Sequence, residues 1–294
     1  MSYEKKLQKF VSALSSLKLD YDRFALWYYR RYDHNEMRRT EITRIQDCWT
    51  TAYTVMDPSI LPDEMIVGKA YRPLTDGERA ELNGYVAKYG KDVLKMQGST
   101  AGFTIDVKLL LSKGIEWIIG EFDKKIATLA GTEKDMAVAN REGFSSVIRY
   151  AHKVSQYIGG VSIKEADPEQ KKLQQTMSKM LWRIPQYKAQ NFHEAVQSLH
   201  FTAFCLTAIP NGVNVVLEGV DEALAPYLIA DIDNGVIDLD TAKYIVGCFF
   251  AHANFSAFRD QDLTIILTGD AKNPVTDIFK EVKAVLDMRQ PRLK

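Results

Sequence analysis

Residues 214–219 read NVVLEG and residues 263–269 read LTIILTG. Each is a short run of β-branched and aliphatic residues closed by a glycine, as expected of a strand that ends in a turn. Between them lies the turn sequence Ile232-Asp233-Asn234-Gly235, then a helical pattern through His252 for which Asp240 is the expected cap. Thr276 is the expected cap of a last helix, reaching about Met288. Residues 210–294 are therefore a mixed α/β segment, and Pro210-Asn211-Gly212 marks where the pattern changes.

Upstream, the chain reads as helix. Leu7, Phe10, Leu14 and Leu17 recur at 3–4 spacing, as do Phe24, Trp27 and Tyr28, and Ile42, Ile45, Trp49, Ala52 and Met56 form a further stripe. Pro58 and Pro62 break the pattern, and Met65-Ile66-Val67-Gly68 is a short extended segment. Asp76 and Gly77 open a helix with Leu82, Tyr85, Val86, Tyr89, Val93 and Leu94 on its apolar side. The loop QGSTAGFT follows, with Thr104 the expected cap for a helix carrying Val107, Leu110 and Leu111. A long helix opens at Thr132 and is expected to stop at Gly159-Gly160. Pro168 suits the first turn of the next helix, Pro185 ends it, and residues 192–206 form a strongly apolar helix. Three regions follow within one domain of 1–294: a helical N-terminal region at 1–97, a helical block at 98–209 and the mixed segment at 210–294. The fold class is mainly α with some α/β.

The 294 residues are 46% hydrophobic and 26% charged, enough apolar material for a sizeable core and too much for a disordered chain. Lys+Arg and Asp+Glu are both 38, so the net charge is zero, which disfavours a dedicated polyanion binder. The interleaved Tyr28, Tyr29, Arg30, Arg31, Tyr32, Arg38 and Arg39 are then an amphipathic surface rather than a nucleic-acid site. Cys48, Cys205 and Cys248 form no metal or disulfide spacing, and all three lie in apolar contexts that suit buried thiols. No stretch is long and apolar enough to span a membrane, and a cytoplasmic setting is expected. In HEAVQSLH, His193 and His200 share a helix face. The zinc-protease pattern needs His at i and i+4, and Gln197 stands there, so core or capping roles are expected instead. No nucleophile elbow, phosphate loop or dinucleotide fingerprint is present.

The order of several segments resembles one family. ILPDEMIVG at 60–68, ending in Gly68, resembles an N-terminal signature of glycyl-radical enzymes of the pyruvate formate-lyase type. FTIDVKLLLSKGIEWI, the Arg149-Tyr150-Ala151 helix, and Phe192, Glu194, Ala195 and Gln197 are similar to successive family segments. In VDEALAPYLIADIDNGVIDLDTA, Asp221, Leu224, Pro226, Tyr227, Asp231, Gly235 and Ala242 hold the family pattern. The resemblance covers roughly residues 55–294.

That resemblance implies a ten-stranded α/β barrel of two antiparallel five-strand halves, of which this chain supplies the helical N-terminal region and the first strands of one half. It also implies a chemistry. A radical S-adenosylmethionine activase installs a backbone glycyl radical, which oxidises a cysteine at the barrel centre, and the thiyl takes a hydrogen atom from a small metabolite. The chain ends at PRLK, before the family's cysteine and glycine positions, and none of its own cysteines falls in a matching motif. No catalytic residue, bound cofactor or metal is therefore expected on this polypeptide. The family's G-R-x-D stands here as Glu218-Gly219-Val220-Asp221, which loses the arginine, and Thr268-Gly269-Asp270 and Thr276-Asp277 replace its glycine pair and asparagine. Two expectations follow: a subunit that needs a partner chain bearing the cysteine and radical glycine, or a catalytically inactive scaffold that could assemble as a homo-oligomer. Neither involves nucleic acid or membrane.

Overall fold

The apolar spacing at the start of the chain does form a helix, α1 (Tyr3–Ser15), which buries Leu7, Phe10 and Leu14. The computed structural model describes residues 2–17, 22–34, 56–69, 72–91, 103–207, 214–255, 262–268 and 272–294. The Ile42–Ala52 stripe, Arg38, Arg39, Cys48, Val93 and Leu94 lie outside these residues. Helix α2 (Asp22–Asp33) has two buried faces. Phe24 and Tyr28 join the main core, while Ala25, Leu26 and Tyr29 pack with Leu82 of α3 (Asp76–Tyr89) in a satellite cluster. Helix α3 begins at Asp76 as the sequence implied, and Thr75 before it forms a reciprocal capping box with Glu78.

Strand β1 (Phe103–Ile105) then opens a run of helices: α4 (Val107–Lys113), α5 (Ile115–Ile126), α6 (Gly131–Lys164), α7 (Pro168–Arg183) and α8 (Phe192–Thr207). Two sequence expectations fail here for physical reasons. Thr104 is inside β1, paired with Val216, so the cap falls to Asp106, whose carboxylate accepts from Leu109 N at 2.9 Å. Helix α6 runs through Gly159-Gly160 to Lys164. Gly159 sits where α7 crosses, and an added Cβ would come 3.0 Å from Ser178 Oγ. One turn away, Ser155 Oγ donates to Ser178 O at 2.6 Å and Ser178 Oγ donates to Ser155 O at 2.9 Å. The glycine permits a close crossing rather than ending the helix.

Strands β2 (Val215–Glu218), β3 (Leu263–Ile266) and β4 (Arg292–Leu293) complete a sheet of order β1-β2-β3-β4. Helices α9 (Val220–Asp233) and α10 (Leu239–Phe255) link β2 to β3, and α11 (Pro274–Leu286) links β3 to β4. All three pairings are parallel, so any antiparallel relation of the kind expected lies between halves and not within this one. Asp238, not Asp240, caps α10 by accepting from Thr241 N at 2.7 Å. Asn273 caps α11, with Pro274 in its first turn, and Thr276 has another role.

The sheet is covered unequally. Ile105, Val215, Leu217, Leu263 and Ile265 are buried against the helices. On the alternate face Thr104 is exposed and Val216, Thr264 and Ile266 are only partly buried by the described residues. Helices α8 and α10 are buried almost all round, and Phe250 packs edge-on against Phe279 of α11. Each such aromatic contributes about 1.5–3 kcal/mol of burial. The structure is mainly helical with a small parallel sheet, a half-barrel.

Candidate functional site

The extended segment 61–69 lies along one face of α8, and the side chains at i, i+4 and i+7 of that helix hold its backbone. His193 Nε2 bonds to Met65 O. Gln197 Oε1 accepts from Val67 N at 2.8 Å and its Nε2 donates to Val67 O at 2.8 Å, so a side-chain amide pairs with the strap as another strand would. His200 Nε2 donates to Gly68 O at 3.1 Å. Gly68 has φ +134, and a Cβ there would come 3.0 Å from His200 Nε2, so both backbone and contact require glycine. The turn before it is pinned as well. Asp63, at φ +61, exchanges hydrogen bonds with Gln170 of α7 at 2.9 and 2.6 Å, and Tyr244 of α10 donates to its carbonyl at 2.9 Å.

This strap carries a fully buried ion pair. Lys69 Nζ donates to both Glu64 oxygens, and His252 Nε2 of α10 lies 2.9 Å from Glu64 Oε1. His200 and His252 stand face to tilted face at 5.0 Å. Burial pushes the Glu64 carboxyl up, but Lys69 and His252 outweigh it and hold Glu64 below the ordinary carboxylate range. Burial lowers all three imidazoles: His193 against the pull of Met65 O, His200 well below 6.5 with His252 adding to the effect, and His252 against the pull of Glu64. The cluster is a clamp of one carboxylate, one ammonium and neutral imidazoles. The sequence reading included Glu64 only as part of a signature and missed Lys69 and His252. Two charged residues flanking the apolar MIVG were the available signal.

A second polar centre lies at the carboxyl ends of β2 and β3. Asp221, in the first turn of α9, accepts from Thr268 N at 3.0 Å, Thr268 Oγ1 at 2.8 Å and Thr276 Oγ1 at 2.7 Å. Burial raises its carboxyl, but these donors lower it more, and the net pKa is depressed. The two threonines first seen as departures from the family pattern are thus the partners of one of its aspartates.

The remaining motif residues are dispersed. Asp231 accepts from Phe192 N at 2.8 Å and so caps α8. Glu194 pairs with Arg183 and accepts from Gln190 N at 2.7 Å. Tyr227 OH donates to Leu111 O at 3.3 Å, Pro226 is exposed on α9, and Gly235, at φ +64, ends that helix. Tyr150 is buried against Phe201 and Phe204, whereas Arg149 is exposed and donates to Ser146 of its own helix at 2.6 Å. The structure brings Gly68 to Gln197 and Phe192 to Asp231, and leaves the others as separate fold contacts.

Other candidates resolve similarly. Tyr28 and Tyr29 are buried, and Arg30 pairs with Glu81 at 2.6 Å, so this stretch holds α2 to its neighbours. Cys205 and Cys248 are buried, and burial pushes the Cys248 thiol up to about 12. Among the described residues no group of three or more metal-ligating side chains is assembled, and no helix is long and apolar enough to cross a membrane. A shallow cavity of about 270 Å³ lies between α7 and the start of α8, next to the Arg183–Glu194 pair.

A family model described as "Pyruvate formate lyase-like" matches residues 67–273. Among curated relatives, an isethionate sulfite-lyase of Nitratidesulfovibrio vulgaris is 27% identical over 176 residues, 57% of this chain and 21% of that protein. A trans-4-hydroxy-L-proline dehydratase of Clostridioides difficile is 27% identical over 107 residues, 36% of this chain and 13% of that one. In fold, the chain is similar to a glycyl radical enzyme from Archaeoglobus fulgidus, with TM-score 0.83 and 19% identity over 98% of this chain and 47% of that one. It is also similar to the glycerol-bound B12-independent glycerol dehydratase of Clostridium butyricum, with TM-score 0.82 and 14% identity over the same shares. The chain spans about half the length of these solved structures and a smaller part of the curated relatives.

Proposed function

The chain belongs to the pyruvate formate lyase-like family, and from this we propose that it is the N-terminal half of a glycyl-radical lyase or dehydratase acting on a small metabolite. It works with a second chain that supplies the thiyl cysteine and the radical glycine. The observation that carries the proposal is the parallel sheet covered on one face. All-parallel sheets are normally buried on both faces, and here the alternate face of β1–β3 is partly open among the described residues. Completing the barrel would cover that face and extend the sheet past its edge strands.

Hydrogen-atom abstraction is assigned to the partner. The cysteines among the described residues, Cys205 and Cys248, are both buried in apolar helices of the core. Gly68, Arg149, Tyr150, Phe192, Glu194, Gln197, Asp221, Pro226, Tyr227, Asp231 and Gly235 serve the scaffold rather than the reaction. Residues 1–97, 98–209 and 210–294 act as regions of one domain in the cytoplasm, where a radical S-adenosylmethionine activase can reach the completed enzyme.

The test is anaerobic co-production with a chain bearing the family's cysteine and radical-glycine segments, together with an activase. The expected result is a stable complex and a glycyl-radical doublet by electron paramagnetic resonance. A folded chain that forms no complex with any such partner overturns the proposal. One observation favours a second reading, an inactive scaffold: the Asp221 carboxylate at the strand ends is fully engaged by Thr268 and Thr276. That reading expects a stable assembly with no partner and no radical.

A further inference from the structure

Four large apolar side chains stand exposed within residues 229–239: Ile229 at 47%, Ile232 at 38%, Val236 at 62% and Leu239 at 47%. Ile229 and Ile232 share a face one turn apart near the end of α9. The chain then reverses tightly. Gly235 N donates to Ile232 O at 3.0 Å and Val236 N donates to Asp231 O at 2.8 Å, which folds Val236 back toward the last turn of α9. Leu239 opens α10 directly after. The strip lies at the far end of α9, roughly 20 Å from β2 and therefore away from the open sheet face. All four residues fall at open positions of the family pattern, whose carriers here are Asp231, Gly235 and Ala242. The shared fold does not account for them.

The surroundings specify the charge of what could cover this strip. Asp233, Asp238 and Asp240 are exposed around it, and residues 214–242 contain no Lys or Arg. Lys243, the first base after that segment, pairs with Glu281 at 2.7 Å, and Lys108 of α4 pairs with Glu222 in the first turn of α9, at the other end of that helix, at 3.0 Å. We propose that the strip Ile229–Ile232–Val236–Leu239 docks a partner protein through an apolar surface edged with Lys or Arg. A second copy of this chain fits poorly, because a two-fold contact would set these aspartates against their own copies. The proposal does not rest on the radical-enzyme reading.

The full chain is titrated by fluorescence anisotropy with a labelled helical peptide of roughly 18 residues carrying Leu on one face and Lys on the other. A scrambled Leu/Lys peptide and a Leu/Glu helix serve as controls. The expected result is binding about tenfold tighter than either control, weakened about fivefold or more by Ile232→Ser/Val236→Ser and also by Asp233→Asn/Asp240→Asn. These positions are exposed, so unchanged circular dichroism confirms that each variant folds. Equal binding of the scrambled peptide, or binding indifferent to the serine pair, overturns the proposal. A concentration-dependent dimer in sedimentation that Val236→Ser abolishes also overturns it, because the strip would then belong to a second copy.

Discussion

Replacing Gln197 by methionine tests whether a side-chain amide, rather than the apolar contacts around it, holds the 61–69 strap. Methionine is similar in length and flexible enough to fill the space, so the cavity contribution is small. What is lost is specific. Gln197 and Val67 are both fully buried, and the two 2.8 Å bonds serve the Val67 N–H and carbonyl. Removing one partner leaves both backbone groups without a bond or water, at about 1–3 kcal/mol each. The expected loss is therefore about 2–6 kcal/mol. Gln197→Glu should be no milder, because it keeps an acceptor for Val67 N–H but turns a carboxylate oxygen toward the Val67 carbonyl. Urea unfolding followed by circular dichroism measures the total. Native-state hydrogen exchange of residues 61–69 locates it, and even 2 kcal/mol of local opening speeds exchange roughly 30-fold. A methionine variant within about 0.5 kcal/mol of the parent, with unchanged exchange, would refute the assignment.

Three further outcomes follow from the same contacts. Lys69→Met leaves Glu64 buried with only His252 and the Leu61 N–H as partners and should cost about 3–5 kcal/mol in urea, while adding Glu64→Gln should recover much of that; two additive losses would contradict the pairing. Because burial depresses His193, His200 and His252 in the folded state, their contribution is complete above about pH 6.5 and falls as pH drops below it, by at most about 1.4 kcal/mol per pH unit for each. Glu64 and Asp221 add their own loss only below their unfolded values of 4.5 and 3.8, so urea midpoints that stay flat from pH 7 to pH 5 would contradict the buried imidazoles. Gly114→Ala should cost about 2 kcal/mol or more, since φ is +79 and a Cβ would meet Gln186 O at 2.4 Å, whereas Gly120→Ala, in open space on α5, should stabilise by about 0.5–1 kcal/mol; equal melting temperatures for the two would count against this packing.

Much of the helical architecture was legible because periodicity reports burial directly. Residues 192–206 read as apolar throughout, and α8 is buried nearly all round. Both strands seen in the sequence exist, because β-branched runs closed by glycine are a local signal. Strands β1 and β4 were not legible: three and two residues carry no period, and only their neighbours make them strands. The helix caps failed by a similar logic. Thr104, Asp240 and Thr276 are all sound capping residues, but pairing with β2 took the first into the sheet, Asp238 preceded the second, and Asp221 claimed the third.

The sequence by itself determined the family, the mainly helical class and the order of most helices and of the two longer strands, since each rests on residue types at fixed spacing along the chain. It also placed ILPDEMIVG and HEAVQSLH on the page as separate motifs. Only the tertiary structure decided that they are one object, with Gln197 pairing as a strand would, two histidines on the strap carbonyls and Glu64 clamped between Lys69 and His252. A hydrogen bond between residues more than a hundred positions apart depends on which helix face meets which backbone, and that is set by packing of the whole core. No local pattern encodes it.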